Sequence, residues 1–207
     1  MFAGREDAAR KLCIKLKPLS KRKKIIVLAL TRGGVVLGKI ISSYFKAPLE
    51  VLVVKKISAP GDRELAVGAV APGNIVYWNK DLCRQLSLSK EEKSNLKNEK
   101  EKERKEQEKL FKGEHIDIRG KSVILVDDGV ATGATAIAAS KYLKRIGAKE
   151  IILTVPVVSE DTLFYIKRYF DTIYSLKIVN NFYAVGQFFR NFPQVENEQV
   201  LKILGKI

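Results

Sequence analysis

The sequence has few of the residues from which metal centres and disulfide frameworks are built. It contains two cysteines, Cys13 and Cys83, and one histidine, His115. The cysteines are far apart and neither shows a metal-ligand spacing, so we expect two free thiols in a reduced compartment. With one histidine available, a metal site built on several histidines is excluded. We expect His115 to lie at the surface.

Long apolar runs are also missing. No stretch approaches the roughly 20 apolar residues that cross a bilayer. The opening residues, MFAGREDAARKL, contain acids and lack the apolar core of a secretory signal. We therefore expect a cytoplasmic protein with no membrane partner. At 207 residues with 46% hydrophobic residues, the chain can build one sizeable core, and we predict a single domain over residues 1–207.

Acidic residues are outnumbered by basic ones, which gives a formal net charge of +15. Such a surplus attracts polyanions, either small phosphorylated substrates or nucleic acid. A lysine-rich surface set by growth conditions explains it equally well. The basic residues are spread along the whole chain, and no helix-turn-helix, zinc finger or RNA-binding aromatic motif is visible. The charge allows nucleic acid as a partner, but we do not expect one.

One stretch combines an acidic pair with a loop of small residues. It covers residues 122–142 and reads SVILVDDGVATGATAIAASKY. The apolar run favours a strand buried on both faces, and the alanine-rich end favours a helix. Loop amides and a helix N-terminus bind phosphate, and Thr132 and Thr135 add hydroxyl donors. Asp127 and Asp128 follow the strand, where they can accept sugar hydroxyls or approach Mg²⁺. The stretch therefore predicts a site for a sugar phosphate.

Other glycine-rich motifs do not fit this stretch. No lysine follows Gly133 as a P-loop requires, and the spacing differs from the dinucleotide pattern G-x-G-x-x-G. An ordinary turn from strand to helix is the alternative. Such a turn does not need two adjacent acids, which repel each other when ionised.

A second strand, turn and helix follow the same order near the N-terminus. Residues 25–30 read as a buried strand and lead into Thr31, Arg32, Gly33 and Gly34. The glycines let the backbone approach a ligand closely, and Arg32 offers a bidentate anion donor. An ordinary βα turn has the same pattern.

The string VILVDDGVATGAT resembles the PRPP (phosphoribosyl pyrophosphate) motif of the type I phosphoribosyltransferases, and LTRGGVVLG resembles their pyrophosphate loop. The resemblance implies an α/β, Rossmann-like fold: a mostly parallel central sheet with flanking helices, a hairpin with a flexible loop and a charged helical insertion. It assigns catalytic roles to Asp127, Asp128 and Arg32. The residues implied to bind ribose and the 5-phosphate are Asp127, Asp128, Gly129, Val130, Ala131, Thr132, Gly133, Ala134 and Thr135. Those implied to bind pyrophosphate are Thr31, Arg32, Gly33, Gly34, Lys55 and Lys56.

The resemblance also implies a reaction. Phosphoribosyl is transferred from PRPP to a nitrogenous base that the sequence does not identify, with release of pyrophosphate. Mg²⁺ is the implied cofactor, held only indirectly by Asp127 and Asp128, and a homodimer is the implied assembly. A non-catalytic PRPP or nucleotide sensor that contacts nucleic acid is the alternative. Ala134 stands where many relatives have glycine, and we expect phosphate binding to tolerate the added methyl group.

Three further segments receive specific predictions. A hairpin is predicted from residues 66–71 and 74–78. The resemblance implies a flexible segment here that closes over the reacting centre and offers Lys55, Lys56 and Arg63 to it; an ordinary surface hairpin is the alternative. Residues 87–112 alternate in charge and predict a solvated helix, which Ser87 or Ser89 would cap. Residues 179–207 form an aromatic C-terminal segment. There Phe182 and Tyr183 either stack a base or pack on the sheet.

The remaining apolar patterns predict the rest of the secondary structure. Helices are expected over residues 2–16, 35–45, 159–170 and 196–204, and strands over residues 49–54, 151–155 and 171–178. Pro156 is expected to close the strand that precedes it, and an extension through Val157 and Val158 is the alternative.

Overall fold

The computed structural model describes residues 1–111 and 116–207, and it leaves the side chains of residues 63 and 64 undescribed. Three predictions therefore lie outside the described residues: the role of the Arg63 side chain, the position of His115, and the end of the charged helix at Lys112. Within the described residues, Cys13 and Cys83 are both free, as predicted, and both are buried.

Strands and helices alternate along most of the chain. The strands are β1 (Ile25–Leu30), β2 (Leu49–Leu52), β3 (Lys55–Ala59), β4 (Asp62–Ala71), β5 (Ile75–Trp78), β6 (Ser122–Val126), β7 (Glu150–Ser159) and β8 (Thr172–Val179). The helices are α1 (Arg5–Lys15), α2 (Gly34–Phe45), α3 (Lys80–Gln85), α4 (Lys90–Phe111), α5 (Ala134–Arg145), α6 (Glu160–Ile166) and α7 (Asn197–Ile203). None of these helices, in the part of the chain that is described, is long and apolar enough to span a membrane.

A five-stranded parallel sheet forms the centre, in the order β2-β1-β6-β7-β8. Its inner strands are continuous apolar runs because helices cover both faces. One face packs against α5, through residues such as Leu125 and Ile137. The other face packs against α1 and α2, through residues such as Leu12, Leu37 and Ile124. The α/β fold predicted from the sequence is confirmed.

A three-stranded antiparallel sheet, β3-β4-β5, lies beside the central sheet. The predicted hairpin is confirmed: β4 pairs with β5 across a turn at Gly73 and Asn74. Both turn residues have positive φ, 69° and 59°, which is the conformation that a tight antiparallel hairpin requires. Part of the segment predicted as a loop before the hairpin is itself strand β3.

Several predicted boundaries were wrong. The first helix begins at Arg5 because Phe2 instead pairs with Phe189 of the C-terminal segment. The second strand ends at Leu52 rather than at residue 54. Strand β7 continues through Pro156 to Ser159, because β6 pairs with it only as far as Thr154 and no ladder bond is lost at the proline.

The predicted helix over residues 159–170 is also interrupted. Helix α6 ends at Ile166, and the last turn is a 3₁₀-helix over Lys167–Tyr169. The strand predicted at residues 171–178 is present as β8, one residue further along the chain at each end.

Candidate active site

Two loops meet at one edge of the central sheet. Strands β1 and β6 are parallel neighbours, and Ala29 pairs with Val126 close to where both strands end. The first loop, residues 31–33, leads into α2, and the second, residues 127–133, leads into α5. The carboxyl edge of a parallel sheet is where open α/β folds bind ligands. The predicted ribose and pyrophosphate residues of these loops therefore share one edge.

Glycine is required where these two loops touch. A Cβ atom added to Gly33 would lie 1.8 Å from Oδ2 of Asp128, and one added to Gly34 would lie 2.6 Å from the carbonyl oxygen of Val126. Neither glycine has a positive φ, so space rather than backbone conformation requires them. The peptide bond between Thr31 and Arg32 is cis. The paired glycines thus bring the first loop into contact with the acidic pair.

The second loop is fixed from the neighbouring strand and helix. The amide of Val130 donates to the carbonyl of Val157 at 2.9 Å, and the amide of Ser159 donates to the carbonyl of Val130 at 3.2 Å. The hydroxyl of Thr162 on α6 donates to the carbonyl of Ala131. The loop is therefore anchored to β7 and α6, while Thr132 remains exposed.

The N-terminus of α5 has no side-chain cap. Its capping position is Gly133, with φ 73°, which offers no side-chain acceptor to the first amides of the helix. Since those amides have no partner inside the helix, they and the helix dipole suit an anion. A Cβ atom at Gly133 would lie 2.6 Å from Cγ2 of Ile166. Ala134 is buried and Thr135 half-buried in the first turn.

The acidic pair is anchored unequally. Oδ1 of Asp127 accepts a hydrogen bond of 2.9 Å from the backbone amide of Asp128. Oδ2 of Asp128 accepts from Nε of Arg5 at 2.9 Å and lies 2.8 Å from its Nη2. Burial raises the pKa of Asp127 well above its usual range, and the charge of Asp128 adds to the effect. Burial also raises the pKa of Asp128, although Arg5 opposes that change.

Sequence reasoning missed Arg5. Its side chain is only 8% exposed, and it lies on the same face of α1 as the buried Ala8, Ala9 and Leu12. A signal was available, because an arginine on the apolar face of a helix needs a buried partner. The sequence alone did not show that the partner is Asp128, which lies 123 residues away along the chain.

The first loop opens into a cavity of about 470 Å³. Thr31, Arg32 and Lys55 line it together with Glu103 and Glu106 of helix α4. Burial lowers the pKa of Lys55, Glu103 opposes this effect, and the nearby cations Arg32 and Lys100 lower the pKa further. Nη1 of Arg32 lies 3.2 Å from Oε2 of Glu196. The cavity thus contains cationic groups that suit a phosphorylated leaving group. The acidic side chains beside them balance their positive charge.

Lys56 is not among the residues that line this cavity. It follows Lys55 on β3, and successive side chains of a strand point to opposite faces. Of the two predicted lysines, the structure therefore brings Lys55 to Arg32 and directs Lys56 elsewhere.

The two predicted base-binding aromatics lie in different surroundings. The ring of Phe182 packs 5.1 Å from that of Phe188, measured between centroids. The side chain of Tyr183 is 88% exposed. The same segment then reaches the second loop at Val185, which a Cβ atom on Gly129 would approach to 2.6 Å. The segment therefore contacts the site through Val185, while Tyr183 faces outward.

Comparison with known proteins agrees with this geometry. The family model described as "Phosphoribosyl transferase domain" matches residues 4–188. The chain belongs to this family. A curated relative, "Putative phosphoribosyl transferase Rv0571c" of Mycobacterium tuberculosis, is 34% identical over 208 residues. That match covers 100% of this chain and 47% of the relative. The chain thus spans about half the length of this curated relative.

Two solved structures show the same architecture. TT1426 from Thermus thermophilus superposes with a TM-score of 0.76 at 31% identity, covering 98% of this chain and 97% of that one. The purine phosphoribosyltransferase from Pyrococcus horikoshii superposes with a TM-score of 0.50 at 18% identity, over 93% of both chains. The second comparison shows the fold alone. The phosphoribosyl transferase fold predicted from two short motifs is therefore confirmed.

Proposed function

We propose that this protein transfers the 5-phosphoribosyl group of PRPP to a nitrogenous base and releases pyrophosphate. The observation that carries the proposal is the contact between the two loops, in which Gly33 leaves no room for a Cβ atom beside Oδ2 of Asp128. That contact places Asp128, whose carboxylate can accept hydrogen bonds from ribose hydroxyls, beside the loop that contains Arg32. Family membership supports the same activity.

Each part of PRPP has a matching feature at the sheet edge. The uncapped N-terminus of α5 suits the 5-phosphate. Asp127 and Asp128 suit the ribose hydroxyls, because carboxylate oxygens accept from them. The cavity that contains Arg32 and Lys55 suits the pyrophosphate. We assign no residue to the base, although Phe182 and Tyr183 remain predictions for it.

Magnesium is expected as a cofactor on chemical grounds. Among the described residues, no group of three or more acidic, histidine or cysteine side chains is arranged to hold a metal ion. Two carboxylates fit Mg²⁺ when substrate phosphates and water supply the other ligands. Since Arg5 already contacts Oδ2 of Asp128, Asp127 is the better placed of the two. When bound, Mg²⁺ would neutralise charge on the pyrophosphate.

The reaction breaks one bond at ribose C1 and forms another there. The bond between C1 and the pyrophosphate oxygen breaks, and its electron pair leaves with pyrophosphate. The base nitrogen then donates its lone pair to C1. Arg32 and Lys55 stabilise the charge that develops on the leaving group, because preorganised cations act most strongly where charge appears. Asp127 and Asp128 hold the ring and favour its cationic state. We assign no general base.

The test is turnover of PRPP with a panel of purine, pyrimidine and other nitrogenous bases. Pyrophosphate release and a new ribosylated product are measured in the presence of Mg²⁺. We expect release by the wild type and none by the double variant Asp127→Asn, Asp128→Asn. The matched control removes two exposed acids, Asp81→Asn with Asp117→Asn, which are 85% and 66% exposed and lie outside the site.

The outcomes separate enzyme from sensor. Turnover that survives the Asp127, Asp128 substitution would contradict the assignment of the ribose site. PRPP binding without turnover of any base would instead favour the sensor. No binding of PRPP by the wild type would reject both.

A further inference from the structure

The cavity beside Arg32 has walls that come from outside the two motifs. Three residues of helix α4 line it, namely Glu103, Glu106 and Gln107. They are three or four positions apart or adjacent, so they belong to one face of the helix. Asn197, the first residue of α7, lines the same cavity. Two helices that carry neither motif therefore contribute side chains to the space next to the first loop.

An apolar cluster holds both helices beside that loop. Phe111 at the end of α4 and Val200 of α7 are buried in it. They share the cluster with Val35 of α2 and Ala29 of β1. Strand β1 leads into the first loop and α2 begins directly after it. The packing that fixes the loop therefore also fixes the helices that line the cavity.

The side-chain amide of Asn197 is left without a partner by this packing. Its Oδ1 is shielded from solvent, and no donor in the described part of the chain lies within hydrogen-bond distance of it. Buried polar atoms without a partner are rare and cost stability, so a structural role does not explain this amide. With the oxygen shielded, Nδ2 is the polar atom of the group that can face the cavity. An amide nitrogen donates hydrogen bonds, and ionised phosphate oxygens accept them.

Charge explains why neutral donors matter in this cavity. Arg32 and Lys55 supply two positive charges to its wall, and Glu103 and Glu106 supply two negative charges. Glu196 places a further carboxylate oxygen 3.2 Å from Nη1 of Arg32. The wall therefore has no surplus of positive charge with which to hold an anion. Uncharged donors that point at the phosphate oxygens supply attraction that the balanced charges do not.

We infer that Asn197 is a pyrophosphate-binding residue, whose side-chain amide donates to a phosphate oxygen in the cavity beside Arg32. Gln107 supplies a second amide from α4. This inference rests on the proposed function, since it requires pyrophosphate in this cavity. It adds two residues from outside the motifs and gives α4 and α7 a part in recognising the leaving group.

The experiment compares a ligand for this cavity with a ligand for the other end of the site. Inorganic pyrophosphate and ribose 5-phosphate are titrated by calorimetry, with Mg²⁺ present, into the full chain. The variants Asn197→Leu and Gln107→Met remove each amide and nearly keep its shape. The matched controls Asn95→Leu and Gln199→Met make the same changes at exposed positions of α4 and α7. Thermal unfolding of each variant is recorded in parallel.

We expect the loss of Asn197 to act on pyrophosphate selectively. Its affinity should fall by about 10- to 100-fold in Asn197→Leu, which is the range for a hydrogen bond to a charged group. In Gln107→Met the loss should be smaller, about 3- to 10-fold, because ordering the longer side chain costs more entropy. Ribose 5-phosphate affinity should stay unchanged in both variants, and the controls should match the wild type.

Thermal unfolding separates binding from a structural role. Replacing an amide that has no partner by an apolar group of similar shape is neutral or stabilising. The unfolding temperature of Asn197→Leu should therefore be no lower than that of the wild type. A lower unfolding temperature, together with weaker binding of both ligands, would show that Asn197 supports the fold and would overturn the inference.

Two further results would overturn it. One is unchanged pyrophosphate affinity in Asn197→Leu, and the other is an equal loss in Asn95→Leu. If Asn197→Leu does not fold, Asn197→Asp decides, because it keeps the shape and removes the donor. Its pyrophosphate affinity should fall well below that of Asn95→Asp, and equal affinities in the two would reject the inference.

Failure of the inference can be told apart from failure of the proposed function. Wild type that binds ribose 5-phosphate but not pyrophosphate would reject the inference and leave the ribose site in place. Selective loss of pyrophosphate in Asn197→Leu, without transfer from PRPP to any base, would support the inference and reject the transfer reaction. Binding of neither ligand by the wild type would reject both.

Discussion

At the scale of single residues, the site depends on glycines, which bring no side chain to the contact between the two loops. Gly33 was expected to let the backbone approach a ligand. In the structure it lets the backbone approach Asp128, with no room for one more carbon atom. The same residue type meets both needs, since glycine removes the Cβ atom that would separate two surfaces. The paired glycines were visible in the sequence, but the contact with Asp128 that requires Gly33 was not.

We predict that Gly33→Ala lowers the free energy of unfolding by about 1 to 3 kcal/mol, the usual effect of forcing an extra carbon into a packed site. It should also weaken PRPP binding, because Asp128 must move. Calorimetric titration and thermal unfolding measure the two effects. Gly4→Ala is the control: it changes the capping glycine of α1, where the new Cβ atom would lie 3.6 Å from the nearest carbonyl oxygen. Equal losses in both variants would contradict the steric explanation.

At the scale of elements, helix α4 differs most from its sequence prediction. Its start is capped as predicted: the amide of Glu92 donates to Oγ of Ser89, and the amide of Ser89 donates to Oε2 of Glu92. A solvated, lightly packed helix was expected, yet Arg104 is 3% exposed. Its Nε and Nη2 each donate to Glu101 at 2.9 Å. The alternating charges of α4 therefore include one buried ion pair, which the charge pattern alone did not reveal.

We predict that Arg104→Ala lowers the free energy of unfolding by about 3 to 5 kcal/mol, because breaking a buried ion pair is strongly destabilising and Glu101 keeps only Lys105, whose Nζ lies 3.8 Å from its Oε1. Arg84→Ala breaks an exposed pair with Asp81 and should cost at most about 1 kcal/mol. Chemical denaturation of the two variants gives the comparison. A loss in Arg104→Ala no greater than that in Arg84→Ala would mean that Glu101 finds water or another partner.

At the scale of the whole molecule, the C-terminal segment closes over the ligand edge of the sheet. Val185 packs against Gly129, Phe189 pairs with Phe2, and Phe192 stacks on Arg5. Further along, Glu196 reaches Arg32 in the first loop. Both ligand loops are therefore in contact with a segment that lies far from them along the sequence. The aromatic residues of this segment mainly pack the molecule together.

We predict that Glu196→Gln strengthens pyrophosphate binding by about 2- to 5-fold, because an exposed ion pair that competes for Arg32 contributes up to about 1 kcal/mol. Calorimetry at low and high salt measures the change, which should shrink as salt screens the competing charge. Glu198→Gln provides the control, since Glu198 is similarly exposed and pairs instead with Lys202. An equal gain in both variants would show a general charge effect and not release of Arg32.

The sequence by itself determined the elements that carry the chemistry. Strand β1 lies where its apolar run predicted, β6 covers the apolar run before the acidic pair, and the loops after them contain the predicted acids, glycines and arginine. Local patterns suffice there, because buried parallel strands and helix starts leave direct traces in residue order. Boundaries failed where a distant segment intervened, as when Phe2 paired with Phe189 rather than extending α1.

Only the tertiary structure decided which residues meet. Arg5 and Asp128 are 123 positions apart, and Arg32 and Glu196 are 164 apart. Nothing in a local pattern encodes such pairs, since they arise when α1 and the C-terminal segment dock on a sheet whose strands are not in sequence order. The order of residues gave the site its chemical groups, and the packing of distant segments gave them their partners, charges and orientation.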